Sequence, residues 1–364
     1  MILVTKSYLP QKKKLLHYID QIYSSHRLTN NGPLTQELET KLASYLGVRN
    51  IILVANGTLA LQVAYKALNI QGSAITTPFS FPATTSSLVW ESIEPIFADI
   101  ERKTWNIDPK EIEKNITQNT SAIVPTHIFG NPCFVEEIQK IANRNNLKVI
   151  YDGAHAFGVR YKGESVLNWG DATTLSFHAT KLFHTIEGGA IVTNNDALAE
   201  KIRLMINFGI AGEEEINGLG INAKFNEFQA AMGLCNLDEI ELINDEREKI
   251  WNCYYEQLKD EFNFQERNEF CTNNCSYFPV IFENEKLLLS ARKKLNDSNI
   301  FPRRYFYPTL DQLPYVSSKK QMVFAKDIAS RVLCLPLYPS LKTEVIDKIC
   351  RIIANKLCVS SLDH

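Results

Sequence analysis

The stretch Leu175–Thr193, LSFHATKLFHTIEGGAIVT, sets one lysine, Lys181, between an apolar strand-like run and a Glu-Gly-Gly turn. Ser176, Thr180 and Thr185 bring hydroxyls, His178 and His184 bring imidazoles, and Gly188–Gly189 let backbone pass closely. An amine enclosed in such a turn loses hydration, which lowers its pKa and frees it for Schiff-base chemistry with a carbonyl. A plain surface lysine is the alternative. It holds unless other parts of the chain provide for a carbonyl-bearing cofactor.

Three further stretches bear on that choice. In VANGTLALQVA, Gly57 and Thr58 stand where a strand turns into a helix, where free N–H groups and the helix dipole favour a phosphate. The same Asn-Gly pair also reads as an ordinary turn and cap. KVIYDGAHAFG is an apolar strand ending in Asp152, and a carboxylate there is costly unless it meets a cation. A protonated pyridine nitrogen would be such a cation and would become a better electron sink for the pairing. Capping the next turn is the other role open to Asp152. His155, three residues on, suits either a donor to a phenolic oxygen or a core histidine. TTPFSFPATTSSLVW places Phe81 past a strand end, suited to stacking on a flat ring or to core packing. Phosphate cradle, ring stacker, pyridinium partner and Schiff-base lysine, in that order, describe a pyridoxal-phosphate site.

The elements that must position these residues follow from apolar periodicity. Helices are expected at Leu34–Leu46, Thr58–Leu68 and Cys133–Asn145. Short strands are expected at Ile51–Ala55, Ala74–Thr77, Pro95–Ala98, Ala122–Pro125, Val149–Asp152, Ala172–Phe177 and Ala190–Thr193. Such alternation predicts an α/β fold with a mainly parallel, doubly wound sheet, whose ligands collect at the carboxyl ends of its strands. Glu227–Lys249 reads as one long helix with a break near Asn244. Beyond it a smaller α+β domain is expected, with strands at Ser276–Phe282 and Val332–Leu337 and helices at Leu287–Leu295 and Thr343–Leu357. The division is thus a large cofactor-binding domain with an N-terminal substrate loop over 1–249, and a small domain over 250–364.

Bulk properties exclude several classes. The chain has 364 residues, 45% hydrophobic and 22% charged, with a formal net charge of -2, which argues against a nucleic-acid binder. The apolar run of MILVTKSYLPQKKK is too short for a signal peptide, and nothing approaches the roughly 18 apolar residues of a membrane span. The cytoplasm is the expected compartment. Eight cysteines are scattered; Cys133, Cys235, Cys334, Cys350 and Cys358 have apolar or helical surroundings. Cys271 and Cys275 lack the second pair a zinc site needs, so no metal is expected. Glu213–Glu215 reads as a solvated loop.

Taken together, LTNNGPL (28–34), NGTLAL (56–61), TPFSFPATTSSLVW, YDGAHAFG (151–158), SFHATKLFHTIEGGA (176–190), GINAKFNEFQAAMG (220–233), RRYFYP and LCLPLYP resemble the DegT/DnrJ/EryC1/StrS family over essentially the whole chain. These are sugar-nucleotide aminotransferases with the aspartate-aminotransferase fold (fold type I). The resemblance implies that Lys181 holds pyridoxal 5'-phosphate as a Schiff base and that Asp152 pairs with its ring nitrogen. It further implies that Gly57, Thr58 and Ser176 bind the phosphate and that Phe81 stacks on the ring. Asn222 matches an asparagine that reaches the phosphate of the neighbouring subunit, implying a homodimer with shared active sites. His155 stands where many members carry glutamine, and Lys224 where arginine is usual. Members with histidine in place of the lysine are dehydratases, which Lys181 argues against.

The implied reaction is ping-pong: glutamate gives up its amino group and leaves as 2-oxoglutarate, then a nucleotide-linked keto sugar takes the group up. Lys181 serves as base and acid. SFHATK with EGGA is similar to enzymes that aminate C4 of dTDP-4-keto-6-deoxyglucose, giving dTDP-4-amino-4,6-dideoxyglucose. C3 transamination and a cofactor-bound regulatory role are the alternatives. Expected substrate contacts are Tyr8, Thr29, Asn30, Asn31 (in the loop to Gly32), His184, Arg303, Arg304 and Tyr305. Arginine suits a diphosphate, although the Arg303-Arg304 pair also reads as a solvated turn. Surface-polysaccharide (O-antigen) biosynthesis is the implied setting.

Overall fold

The computed structural model describes residues 1–316 and 322–354. Its centre is a seven-stranded sheet in the order Asn50–Val54, Gly189–Thr193, Ala172–Ser176, Lys148–Asp152, Thr120–Val124, Ser73–Thr76 and Glu94–Phe97. Gly189–Thr193 is antiparallel to both neighbours and every other pairing is parallel, so six strands share one direction. The strands are short apolar runs because both faces are covered. Ile51 and Leu53 enter one core with Leu38, Leu42, Val149 and Tyr151, whereas Ile52 and Val54 enter another with Ala60, Leu61, Ala64 and Ile150. Successive residues serving opposite cores is what the two-residue period of a strand requires.

Every expected element is present, with ends shifted by a few residues, except that residues 355–357 of the last expected helix lie outside the described residues. The long helix differs. It divides into Glu227–Asp238 and Ile240–Leu258, breaking at Glu239 and not at Asn244. Glu239 leaves helical geometry (φ -110°, ψ 11°) where its carboxylate accepts from the Tyr8 hydroxyl at 2.5 Å and pairs with Lys14 at 2.9 Å. Asn244 stays helical and donates to the Tyr45 hydroxyl.

Ile240–Leu258 links two cores. Ile240 packs with the sheet, whereas Ile250, Tyr254 and Leu258 pack with Phe278, Val280, Leu288, Leu333 and Ile349 in a C-terminal layer. The 249/250 division therefore falls within a continuous helix. That layer pairs Phe278–Ile281 with Val332–Leu335 and adds the helices Glu285–Asp297 and Thr343–Ala354. The chain's start is tied to it, since Ile2–Leu3 pairs in parallel with Ile300–Phe301. Glu213–Glu215 lies in an exposed hairpin between Ile210–Gly212 and Glu215–Ile216. No described helix is long and apolar enough to cross a membrane.

Candidate active site

Strand direction gathers the chemistry. Val54, Val124, Asp152 and Ser176 all end strands at one edge of the sheet, and the reversed strand begins there at Gly189. Above that edge lies a cavity of about 540 Å³, lined on its other side by Leu3 of the N-terminal strand and by Phe301, Arg303, Tyr305 and Phe306. Gly57, Thr58, Phe81, Asp152, His155, Ser176, Lys181, Arg303 and Tyr305, all expected from sequence, line this one cavity.

The helix Gly57–Ala67 starts at the cavity wall, and the Asn56 side chain caps it by accepting from Leu59 N at 2.9 Å. Its first N–H groups have no intrahelical acceptor. A Cβ at Gly57 would stand 2.9 Å from Ser176 Cβ, and one at Gly189 would stand 2.7 Å from Gly57 N. Glycine at both positions keeps the helix start close to Ser176 and leaves a backbone cradle suited to an oxyanion.

Asp152 is 6% exposed. Its Oδ2 accepts from the Thr84 hydroxyl at 2.7 Å and its Oδ1 from Ala154 N at 3.1 Å. Ser80 sits 2.9 Å from Thr84, and Thr126 donates to Ser80 at 3.2 Å. Each hydroxyl has one proton, so a chain ending on a carboxylate runs Thr126 to Ser80 to Thr84 to Asp152. Among the described residues no cation lies within ion-pair distance of Asp152 (the ion pairs are all elsewhere). The carboxylate is thus braced for a positive partner within the cavity.

His155 Nδ1 accepts from Phe129 N at 3.3 Å, which leaves Nε2 as the protonated nitrogen and a donor. Its ring stacks on Phe306 (5.6 Å, 3°) and on Phe129 (6.1 Å, 14°). Burial, then the nearby charge of Lys181, holds its pKa well below the usual imidazole value, so the ring is neutral. Burial likewise draws the Lys181 ammonium below its usual range, against the opposing pull of Asp152 and Tyr305. Lys181 Nζ donates to the Tyr277 hydroxyl at 3.3 Å.

Seven expected residues lie outside the cavity lining. Arg304 turns away and donates to Glu285 Oε1 at 2.6 Å and to the carbonyls of Ala329 and Ser330, with its guanidinium 3.6 Å from the centre of the Tyr307 ring. Arg303 and Cys334 exchange backbone hydrogen bonds in an extended bridge, so successive side chains face opposite ways and only Arg303 reaches the cavity. His184 is buried, its Nε2 2.7 Å from the Tyr8 carbonyl and its own carbonyl accepting from Asn236; burial lowers its pKa. Tyr8 spends its hydroxyl on Glu239, and burial with that bond pushes it up to about 12. Thr29 donates to the Phe225 carbonyl at 3.4 Å, whereas Asn30 and Asn31 sit by Glu39, Arg203 and Lys224 in a separate hollow. Asn222 is exposed, in a bridge with Asn207, and Lys224 stacks 4.9 Å from the Phe208 ring.

Some cavity residues were given no role from the sequence. Tyr277 and Phe306 reach it only through the packing of the C-terminal layer, and Ser80 and Thr126 only through their hydroxyl chain to Asp152. Thr84 stands three residues after Phe81 in the hydroxyl-rich run of TTPFSFPATTSSLVW, in the first turn of the helix Pro82–Trp90. Among the described residues, no three of His, Cys, Asp and Glu group as metal ligands. Cys271 Sγ donates to the Asn268 carbonyl, Cys275 is buried, and Cys358 lies outside the described residues.

This geometry has known counterparts. A dTDP-4-amino-4,6-dideoxy-D-glucose transaminase of Shigella dysenteriae is 44% identical over 355 residues, 96% of this chain and 97% of that protein. One of the same name from Escherichia coli is 40% identical over 364 residues, 97% and 98% of the two chains. The crystal structure of DesI in the presence of its TDP-sugar product superposes with a TM-score of 0.92 at 32% identity, covering 98% of this chain and 92% of that one. Residues 10–354 match the description of one family throughout. The chain belongs to the DegT/DnrJ/EryC1/StrS aminotransferase family, a family of sugar aminotransferases with this α/β fold.

Proposed function

We propose that this chain binds pyridoxal 5'-phosphate and moves an amino group from L-glutamate to C4 of dTDP-4-keto-6-deoxyglucose. The products are 2-oxoglutarate and dTDP-4-amino-4,6-dideoxyglucose. The observation that carries the reading is the meeting of Lys181, Asp152 and the Gly57 cradle in one cavity. The relatives at 40–44% identity, named for this amino sugar, supply the substrate.

The residues present fit the cofactor. A cradle that a Cβ would fill suits its phosphate, a braced carboxylate without a cation suits its ring nitrogen, and Phe81 at the rim suits its ring face. Gly57, Thr58 and Ser176 would hold the phosphate, Asp152 the ring nitrogen, His155 the ring hydroxyl through Nε2, and Lys181 the aldehyde carbon. When bound, the group supplies an electron sink for the bond broken at the amino-bearing carbon.

Lys181 Nζ carries the protons. Burial draws the amine below its usual range, which favours its free-base form, the form that takes the proton from the α-carbon of glutamate. It returns one to C4 of the sugar. Asp152, held by Thr84 and Ala154, would meet the ring nitrogen from the cavity wall. Arg303 and Tyr305 stand at the C-terminal wall, where Arg303 offers a bidentate fork to the diphosphate. Asn222, exposed and outside its own cavity, is assigned to the site of a second copy, which makes the working unit a homodimer.

The test is product analysis. Purified protein with pyridoxal phosphate, glutamate and dTDP-4-keto-6-deoxyglucose should yield the equatorial 4-amino sugar by NMR. Amination of the 3-keto isomer alone would refute the C4 assignment while leaving the aminotransferase intact.

A further inference from the structure

The partner of Lys181 comes from outside the sheet. Tyr277 ends the segment that leads into the strand Phe278–Ile281. Asn274 fastens this segment to the site by donating to the carbonyls of His155 and Phe157, at 2.8 and 3.0 Å. Arg247 fastens it from behind. Its Nε donates to the Cys275 carbonyl at 3.1 Å and its Nη2 to the Ser276 carbonyl at 2.6 Å, the two residues just before Tyr277.

Arg247 is 4% exposed, and among the described residues it has no carboxylate within ion-pair distance. A buried cation is ordinarily matched by an anion. Here its donors go to two successive carbonyls, and burial draws its pKa down to about 10. Such a costly group is better explained by what it fixes than by stability. What it fixes is Tyr277, whose ring meets His155 edge-on at 4.8 Å and whose hydroxyl meets Lys181.

We propose that Tyr277 holds the Lys181 amine whenever that amine is not covalently engaged, and that Arg247 is the positioning residue that sets Tyr277 in place. The inference rests on the aminotransferase reading above. A neutral phenol both accepts and donates, so Tyr277 accepts from the ammonium form and donates to the amine form. Burial raises the Tyr277 pKa, which keeps it protonated for both. The neighbouring groups are otherwise placed: Asp152 is turned to Thr84 and Ala154, His155 is neutral with Nδ1 taken, and Tyr305 packs edge-on against Tyr277 at 5.8 Å, while the Lys181 amine donates to Tyr277.

The test compares wild type with Tyr277→Phe, Arg247→Lys and Lys181→Ala. In the cofactor-free protein, Lys181 is titrated by NMR after carbon-13 reductive methylation, with Lys181→Ala identifying its signal. Tyr277→Phe should lower the Lys181 midpoint, because the ammonium loses its acceptor. It should also cut kcat about tenfold with KM unchanged, the loss expected for one hydrogen bond to a charged group. Arg247→Lys should move the midpoint the same way, and in the double variant the two shifts should not add. An unmoved midpoint and unchanged kcat in Tyr277→Phe overturn the role of Tyr277; an Arg247→Lys protein altered only in melting temperature overturns that of Arg247. Wild-type turnover by Lys181→Ala would instead overturn the aminotransferase reading.

Discussion

The Thr84 hydroxyl donates to Asp152 Oδ2 at 2.7 Å, joining the start of one helix to the end of a strand 68 residues later. With Ala154 N it supplies the only two donors that the described residues place on this carboxylate. Both fix its two oxygens beside the cavity.

Replacing Thr84 with valine keeps the shape and removes one donor. A hydrogen bond to a charged group is worth about 1.5–3 kcal/mol, so pyridoxal-phosphate affinity should fall about tenfold or more. Thr84→Ser should stay near wild type. Absorbance titration of the cofactor-free protein measures both, and equal affinity in Thr84→Val would contradict the role.

Stability should depend on pH through buried histidines. Burial pushes His127 from its ordinary 6.5 to about 3; its Nδ1 accepts from Cys133 N and its ring stacks on Tyr151. Its folded pKa is depressed, so between these values the unfolded chain binds a proton that the native chain does not. Native stability is therefore complete above about pH 7 and is lost as pH falls below 6.5. At pH 5 this one histidine costs about 2 kcal/mol relative to pH 7. His155 acts in the same direction. Denaturant unfolding at pH 7 and pH 5 should show His127→Asn reducing the difference by about that amount; an undiminished difference would refute it.

The two adjacent arginines should behave unlike each other. Arg303→Ala should raise KM for the sugar nucleotide about tenfold or more, with little effect on melting, because Arg303 faces the cavity. Arg304 has a side chain 9% exposed and holds Glu285 and two carbonyls. Its replacement by alanine should cost about 2 kcal/mol of stability and leave KM unchanged. Steady-state kinetics and thermal unfolding of both variants check the contrast, and a KM effect in Arg304→Ala would reverse it.

The sheet and the base of the site were legible because local order carries them. Gly57, Asp152, Ser176 and Lys181 each sit at or just beyond a strand end, and an apolar run followed by a turn marks such an end in the sequence alone. The rest depends on contacts distant in the chain. Tyr277 approaches Lys181 across 96 residues, and Thr126 reaches Ser80 across 46, with no local pattern to announce either. Arg303 and Arg304 look equivalent until the bridge to Cys334 fixes which side each faces. His184 looks like a cavity residue beside Lys181, but the turn buries it against Tyr8 and Asn236. The helix break fell at Glu239 because Tyr8 and Lys14 meet it there, from more than 200 residues away.

The most direct test of the central claim compares wild type with Lys181→Ala for transfer of the amino group from glutamate to dTDP-4-keto-6-deoxyglucose, in saturating pyridoxal phosphate. If Lys181 carries the protons, product formation by the variant should fall more than a hundredfold while its folding and melting temperature stay near wild type. Turnover at the wild-type rate would show that the chemistry does not pass through this lysine.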